Sequence, residues 1–127
     1  MILAQRELVA QRLAGLLTYA VEGDAFEVVS IDAVVRQAGV GTALLDAAIA
    51  RAEQDGLARL WLITTNDNLD GLRFYQRRGM RIVRINPGGV DESRKVKPDI
   101  PLVGDFEIEI HDEIVLELRL PRRAPHR

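Results

Sequence analysis

The sequence predicts an α+β, or mixed α/β, domain with helices flanking a mostly antiparallel central sheet. Three observations predict it. Up to Val35 the chain reads as short strands separated by turns. From Thr42 the apolar period switches to that of a helix. Beyond that helix the order is strand, helix, strand, strand.

Leu8 to Gln11 reads as a short strand, with a turn at Gln11-Arg12. Leu13 to Val21 is a second strand, and Glu22-Gly23-Asp24 a hairpin turn. Ala25 to Val35 is a third, rich in β-branched residues (Val28, Val29, Ile31, Val34, Val35). From Thr42 to Asp55 the positions Leu44, Leu45, Ala48, Ile49 and Ala52 form one helical stripe, and Gly56 stands where the helix should stop. Arg59 to Thr64 is a strand. Asn66-Asp67-Asn68 offers caps for a second helix that runs to Arg78 and stops at Gly79. Arg81 to Ile85 is another strand. Asn86 to Gly104 is long, polar and punctuated by proline, with a short helix around Asp91 to Lys95. Glu107 to Leu120 closes the domain as one long strand or a strand pair. Ile108, Ile110, Ile114, Leu116, Leu118 and Leu120 share one parity, and Glu109, His111, Glu113, Glu117 and Arg119 the other.

Composition narrows the function classes. The 127 residues are 47% apolar, which suits one domain over 1–120. Pro121 to Arg127 is expected to be a mobile basic tail. A formal charge of −2 gives no general attraction to nucleic acid or an acidic membrane. The absence of cysteine excludes a disulfide scaffold, a thiol nucleophile and a thiolate-held metal. Only His111 and His126 supply imidazole, so no metal site is expected. No apolar run approaches the roughly 20 residues of a membrane span. Met1 to Val9 carries Arg6 and Glu7 and has no signal-peptide core, so a cytoplasmic location is the default expectation.

Chemistry is first legible at Arg36-Gln37-Ala38-Gly39-Val40-Gly41, where a strand turns into a helix. The first amides of a helix have no intrahelical partner, and its dipole favours an anion there. Glycine admits close approach of a ligand, and Arg36 adds a charged fork of donors. Such a turn suits a phosphate or pyrophosphate; it also serves as a plain connection with no ligand. A dinucleotide fingerprint fits poorly, because Leu44 stands where its third glycine belongs and the strand before it comes from a meander. A Walker loop fails for lack of Gly-Lys-Ser/Thr.

Arg-x-x-Gly-x-Gly between a strand and a helix resembles the pyrophosphate signature of GNAT N-acetyltransferases. A second motif follows at the family's separation. Asn68-x-x-Gly71-x-x-Phe74-Tyr75-x-x-x-Gly79-Met80 is similar to that family's Asn-x-x-Ala-x-x-aromatic-Tyr-x-x-x-Gly-Phe. Gly71 for alanine and Met80 for phenylalanine read as mild changes. The turn at Arg36 is shorter than usual, lacking the stretch that often contains a proline. The resemblance covers about Leu13 to Leu120 and implies a GNAT-like acyl-CoA N-acyltransferase fold.

It also implies a co-substrate, acetyl-CoA, and no metal. The diphosphate would sit on Arg36 and the amides of Gln37, Ala38, Gly39, Val40, Gly41, Thr42 and Ala43. The strand near Val34 would pair with the pantetheine arm, Asn68 would hydrogen-bond that arm, and Tyr75 would place its hydroxyl near the thioester sulfur. The implied reaction is attack of a primary amine, on a small molecule or a peptide, at the thioester carbonyl. A GNAT-like module that binds acyl-CoA without turnover is the alternative.

The amine must lose a proton, since alkylammonium has a pKa near ~10. Glu27 and Asp32, on the strand before the turn, are the candidate bases. Their parity differs, so a regular strand puts them on opposite faces; a bulge, common in this family's strand, would change that. Deprotonation through a water chain is the other route. His111 and Arg94-Lys95-Val96-Lys97 read as a solvated strand position and a solvated face. Gly88 to Pro101, followed by Asp112-Glu113-Ile114, resembles a stretch of a group of bacterial GNAT proteins, which links it to the acceptor site or an interface. GNAT domains usually open with a strand and helices that wall the acceptor groove, whereas only about a dozen residues precede Leu13. Either the groove is open or a second copy covers it, and a homodimer is expected.

Overall fold

The computed structural model describes residues 6–10, 15–33 and 39–122. Six strands form one sheet in the order β1-β2-β3-β4-β6-β5. They are β1 (Arg6–Ala10), β2 (Gly15–Glu22), β3 (Ala25–Ala33), β4 (Arg59–Thr65), β5 (Arg81–Asn86) and β6 (Glu113–Arg119). The helices are α1 (Val40–Gln54), α2 (Leu69–Arg77) and α3 (Gly89–Val96), with a short 3-10 turn at Asp105–Glu107. No helix among the described residues is long and apolar enough to cross a membrane. The chain divides into two compact units, Met1–Leu62 with Leu118–Arg127, and Ile63–Glu117.

In the first unit β1, β2 and β3 form an antiparallel meander, and β3 pairs in parallel with β4. The alternation written in β2 decides its faces. Gly15, Leu17, Tyr19 and Val21 look toward one side; a Cβ at Gly15 would collide with Val40 and Leu44 of α1, so that side receives the helix. Tyr19 and Phe26 stack there with centroids 4.3 Å apart. The predicted stripe of α1 is buried in full: Leu44, Leu45, Ala48, Ile49 and Ala52, joined by Val40. Each large aliphatic side chain so buried contributes about 1.5–3 kcal/mol.

The helix begins two residues earlier than the stripe suggests, because Gly39 caps it in the left-handed region (φ 76°) and Val40 already enters the core. It ends as expected, with Gly56 at φ 70°. Arg122 donates from its backbone to Glu53 at 2.6 Å and from its guanidinium to Asp46 at 3.1 Å, so the chain just past β6 lies along α1. Residues 123–127 of the expected tail, and the turn at Gln11-Arg12, lie outside the described residues.

In the second unit β5 and β6 pair antiparallel, with Val83 inserted as a bulge. Only Tyr75 of α2 is buried, and the helix stops at Gly79 (φ 98°) as its sequence implies. The predicted helix near Asp91 exists and is longer at both ends. The closing segment is neither one strand nor a hairpin: it holds the 3-10 turn, a single bridge between Val103 and Glu109, and then β6 from Glu113. Parity alone missed Val115, which is buried along with Ile114, Leu116 and Leu118. An exposed Arg84 lies opposite it across the bulge.

Candidate active site

The first unit carries the two candidate bases. Glu27 pairs with Ala20 of β2, Ser30 with Thr18 and Asp32 with Leu16. Between Thr18 and Tyr19 the register shifts, and the residue left over on β3 is Val29. Directly opposed residues share a face, and Leu16, Thr18 and Ala20 are of one parity on an uninterrupted β2. Glu27, Ser30 and Asp32 therefore lie on one face, the one turned away from α1. The hydroxyls of Thr18 and Ser30 meet there at 2.6 Å. The bulge cancels the odd spacing of the two carboxylates.

Glu27 is half-buried, and this burial, assisted by the nearby charge of Glu22, raises its pKa above the ordinary 4.5. Asp32 is exposed. The parallel register of β3 with β4 runs Ala25–Arg59, Phe26–Leu60 and Glu27–Trp61 and ends there, while the pairing of β3 with β2 continues to Ala33. Glu27 thus marks the place where two parallel strands stop pairing. Beside it is a cavity of about 120 Å³ bounded by Ala20, Glu22, Asp24, Ala25, Glu27, Arg59 and Trp61. The Arg59 guanidinium stands 5.8 Å from the centre of the Trp61 ring.

Of the glycine turn, Gly39, Val40, Gly41, Thr42 and Ala43 are described; Val34, Arg36, Gln37 and Ala38 lie outside the described residues. No side chain caps α1 and no acidic residue stands in its first turn. A Cβ built on Gly39 would meet nothing within 4 Å among the described residues. The start of α1 therefore offers backbone donors with no capping side chain, as an anionic group requires.

The second unit carries Asn68 and Tyr75. Asn68 is the N-cap of α2: its carboxamide oxygen accepts from Gly71 N at 3.1 Å, and its amide donates to Thr64 Oγ1 at 2.8 Å. A Cβ at Gly71 would meet that carboxamide, so alanine there requires the Asn68 side chain to shift. Tyr75 is buried and meets Phe74 edge-on at 5.5 Å.

Three side chains carry more of this unit than their sequence context suggests. Arg94, read as part of a solvated face, is only 14% exposed. It donates to the carbonyls of Ile100, Pro101 and Ile110 and to Asp91. His111 is not a solvated strand position either. Its ring meets Asp91 at 2.9 Å and Glu109 at 3.0 Å, and these hydrogen bonds, Asp91 first, raise its pKa above 6.5. Asn66 joins distant segments, accepting from the amides of His111 and Asp112 and donating to the carbonyl of Glu109. The local signal for Arg94 was its place in a polar segment between prolines, where backbone carbonyls need donors. No group of three or more His, Cys, Asp or Glu that could hold a metal occurs among the described residues.

Known proteins resemble this chain in sequence and in fold. Residues 2–80 match the family model described as the acetyltransferase (GNAT) family. The chain is 45% identical over 105 residues to the uncharacterized protein YxbD of Bacillus subtilis, covering 83% of this chain and 66% of that protein. It is 39% identical over 103 residues to the uncharacterized protein YdhI of the same organism, covering 81% and 64%. The chain thus spans a little under two thirds of the length of both relatives. Among solved structures, a GNAT family acetyltransferase from Elizabethkingia anophelis with acetyl-CoA bound superposes with a TM-score of 0.75 at 23% identity, over 84% of this chain and 69% of that one. A Bacillus subtilis acetyltransferase in complex with CoA gives 0.74 at 23% identity, over 89% and 73%. At that identity the likeness speaks for the fold.

Proposed function

The chain belongs to the GNAT acetyltransferase family, and on that premise we propose that it transfers an acetyl group from acetyl-CoA to a primary amine by direct attack on the thioester. The observation that carries this reading is Glu27: a half-buried carboxylate with a raised pKa, at the last pair before β3 and β4 part. A base with a pKa moved toward neutrality takes a proton from an ammonium more readily than an ordinary carboxylate.

The residues present fit acetyl-CoA. The uncapped start of α1, with no acidic residue in its first turn, suits the pyrophosphate on the amides of Val40, Gly41 and Thr42; the Ala43 amide, expected from the sequence to join them, already donates to the Gly39 carbonyl at 3.0 Å. Arg36, Gln37, Ala38 and Val34 complete that role by family resemblance. Acetyl-CoA supplies an acyl group activated as a thioester. Glu27, directly or through a water, takes the proton of the amine. The amine nitrogen then forms the new C–N bond at the carbonyl carbon. A backbone N–H of β3 past Glu27 donates to the carbonyl oxygen as charge gathers there. By family resemblance the Tyr75 hydroxyl protonates the sulfur as the C–S bond breaks, and the second proton shed by the attacking nitrogen restores the tyrosine. Asn68 reaches the pantetheine arm with the amide hydrogen and lone pair that Thr64 and Gly71 leave over.

We take the protein to be cytoplasmic and to act as a homodimer. What supports the dimer is β5, an edge strand on which Ile82, Val83 and Ile85 are each about half exposed, which a soluble protein ordinarily covers. Release of free thiol from acetyl-CoA across a panel of amines tests the reaction. Tight CoA binding with no turnover on any amine would favour the non-catalytic module.

A further inference from the structure

The cavity beside Glu27 has a size, a wall and a charge, and together they restrict the acceptor. Its volume of about 120 Å³ admits an amine and a short methylene chain. Ala20 and Ala25 lie on the face away from α1, and so does Trp61, the partner of Glu27 across the parallel pair. These give the chain an apolar wall. Glu27 stands on that same face, where the amine must arrive to lose its proton. Glu22 and Asp24, both exposed at the β2–β3 turn, line the cavity as well. Three carboxylates face a single guanidinium, Arg59, which already lies over Trp61. That balance repels an anionic acceptor and attracts a second cation on the acceptor's far end.

We propose that this cavity takes a primary amine whose chain carries at least one further ammonium group, with Glu22 and Asp24 as the specificity-determining residues. This rests on the acetyl-transfer reading for its chemistry but not for its binding. Each exposed ion pair contributes little, so two of them give about a five- to tenfold preference.

The test compares putrescine with n-butylamine, which share a four-carbon chain and differ in the second ammonium. Titration calorimetry on the full chain measures binding of each without acetyl-CoA, and thiol release measures KM for each with it. The expected result is a five- to tenfold preference for putrescine that falls as salt is added. In Glu22→Gln and Asp24→Asn the ratio of the two KM values, and of the two binding constants, should fall toward one. Taking a ratio removes any effect of Glu22 on Glu27 that both amines feel alike. Equal binding of the two amines, or a ratio unchanged in both variants, overturns the proposal. If acetyl-CoA binds but no amine is acetylated, the transfer reading falls, and the calorimetric ratio alone decides this one.

Discussion

Glu27 and Asp32 lie on one face of β3 although their spacing is odd, because Val29 is the extra residue of a bulge between them. This turns two carboxylates, with Ser30 between them, to one face of the strand. It also gives them unequal parts, since Glu27 is half-buried and Asp32 exposed.

Glu27→Gln should lower kcat/KM by about 100- to 10,000-fold, the usual range for a general base. Asp32→Asn should cost less. The proposed role needs the ionised form, so in the wild-type protein log kcat/KM should climb with pH through a value above 4.5, and that limb should vanish in Glu27→Gln. The stability sign is opposite. A carboxyl whose folded pKa is raised stabilises the fold most below its unfolded value, and that contribution is lost as pH rises through the folded value. Thermal melts should therefore show Glu27→Gln gaining on the wild type as pH increases from 4 to 7. An acid limb unchanged by the substitution would remove Glu27 from proton transfer.

Tyr75→Phe removes one hydroxyl and keeps the ring that packs at Phe74. Turnover should fall, by up to the same ~100- to 10,000-fold, while affinity for CoA stays within about twofold. Full activity at saturating acetyl-CoA would make Tyr75 a packing residue.

Gly39 has φ 76°, and a side chain there is strained by roughly 1–2 kcal/mol. Gly39→Val and Gly41→Val should abolish CoA binding in calorimetry while circular dichroism still reports a folded chain. A folded Gly41→Val protein with unchanged affinity would take the pyrophosphate off these amides.

Gly71→Ala should push the Asn68 carboxamide off the start of α2. Losing the cap costs roughly 1 kcal/mol, and the better helix former returns a similar amount, so the melting temperature should change little. Asn68→Ala, which loses the cap without that return, should melt lower. Equal melting temperatures for the two variants would show that Asn68 does not cap α2.

His111 lies between Asp91 and Glu109, and its raised pKa means that these pairs stabilise the fold fully below the unfolded histidine value near 6.5 and are lost as pH rises through the folded one. Asp91, lowered first by its bond to His111, contributes above its own unfolded value and loses that as pH falls. Side-chain exposure of 46% for both screens the pair, so the effect is small. His111→Asn should be less stable than the wild type at pH 6 and closer to it at pH 9. A constant gap across that range would deny the imidazolium its role.

The sequence by itself determined what depends on near neighbours. The stripe of α1 names its buried face, glycines 39, 56 and 79 punctuate the helices because each takes a positive φ there, and the two motifs mark where CoA chemistry would be. What only the tertiary structure decided depends on pairing between distant residues. The insertion of Val29 is a matter of register with β2, and the local composition of a β-branched strand is the same with or without it. Arg94 looks like one charge in a basic run, yet it turns inward to carbonyls that lie up to sixteen residues away. Asn66 looks like a cap, yet it bonds a segment more than forty residues on. Helix periodicity is a short-range property of one segment. Strand register and buried hydrogen bonds are fixed only when two segments meet, because the unpaired donors and acceptors of each must find partners in the other.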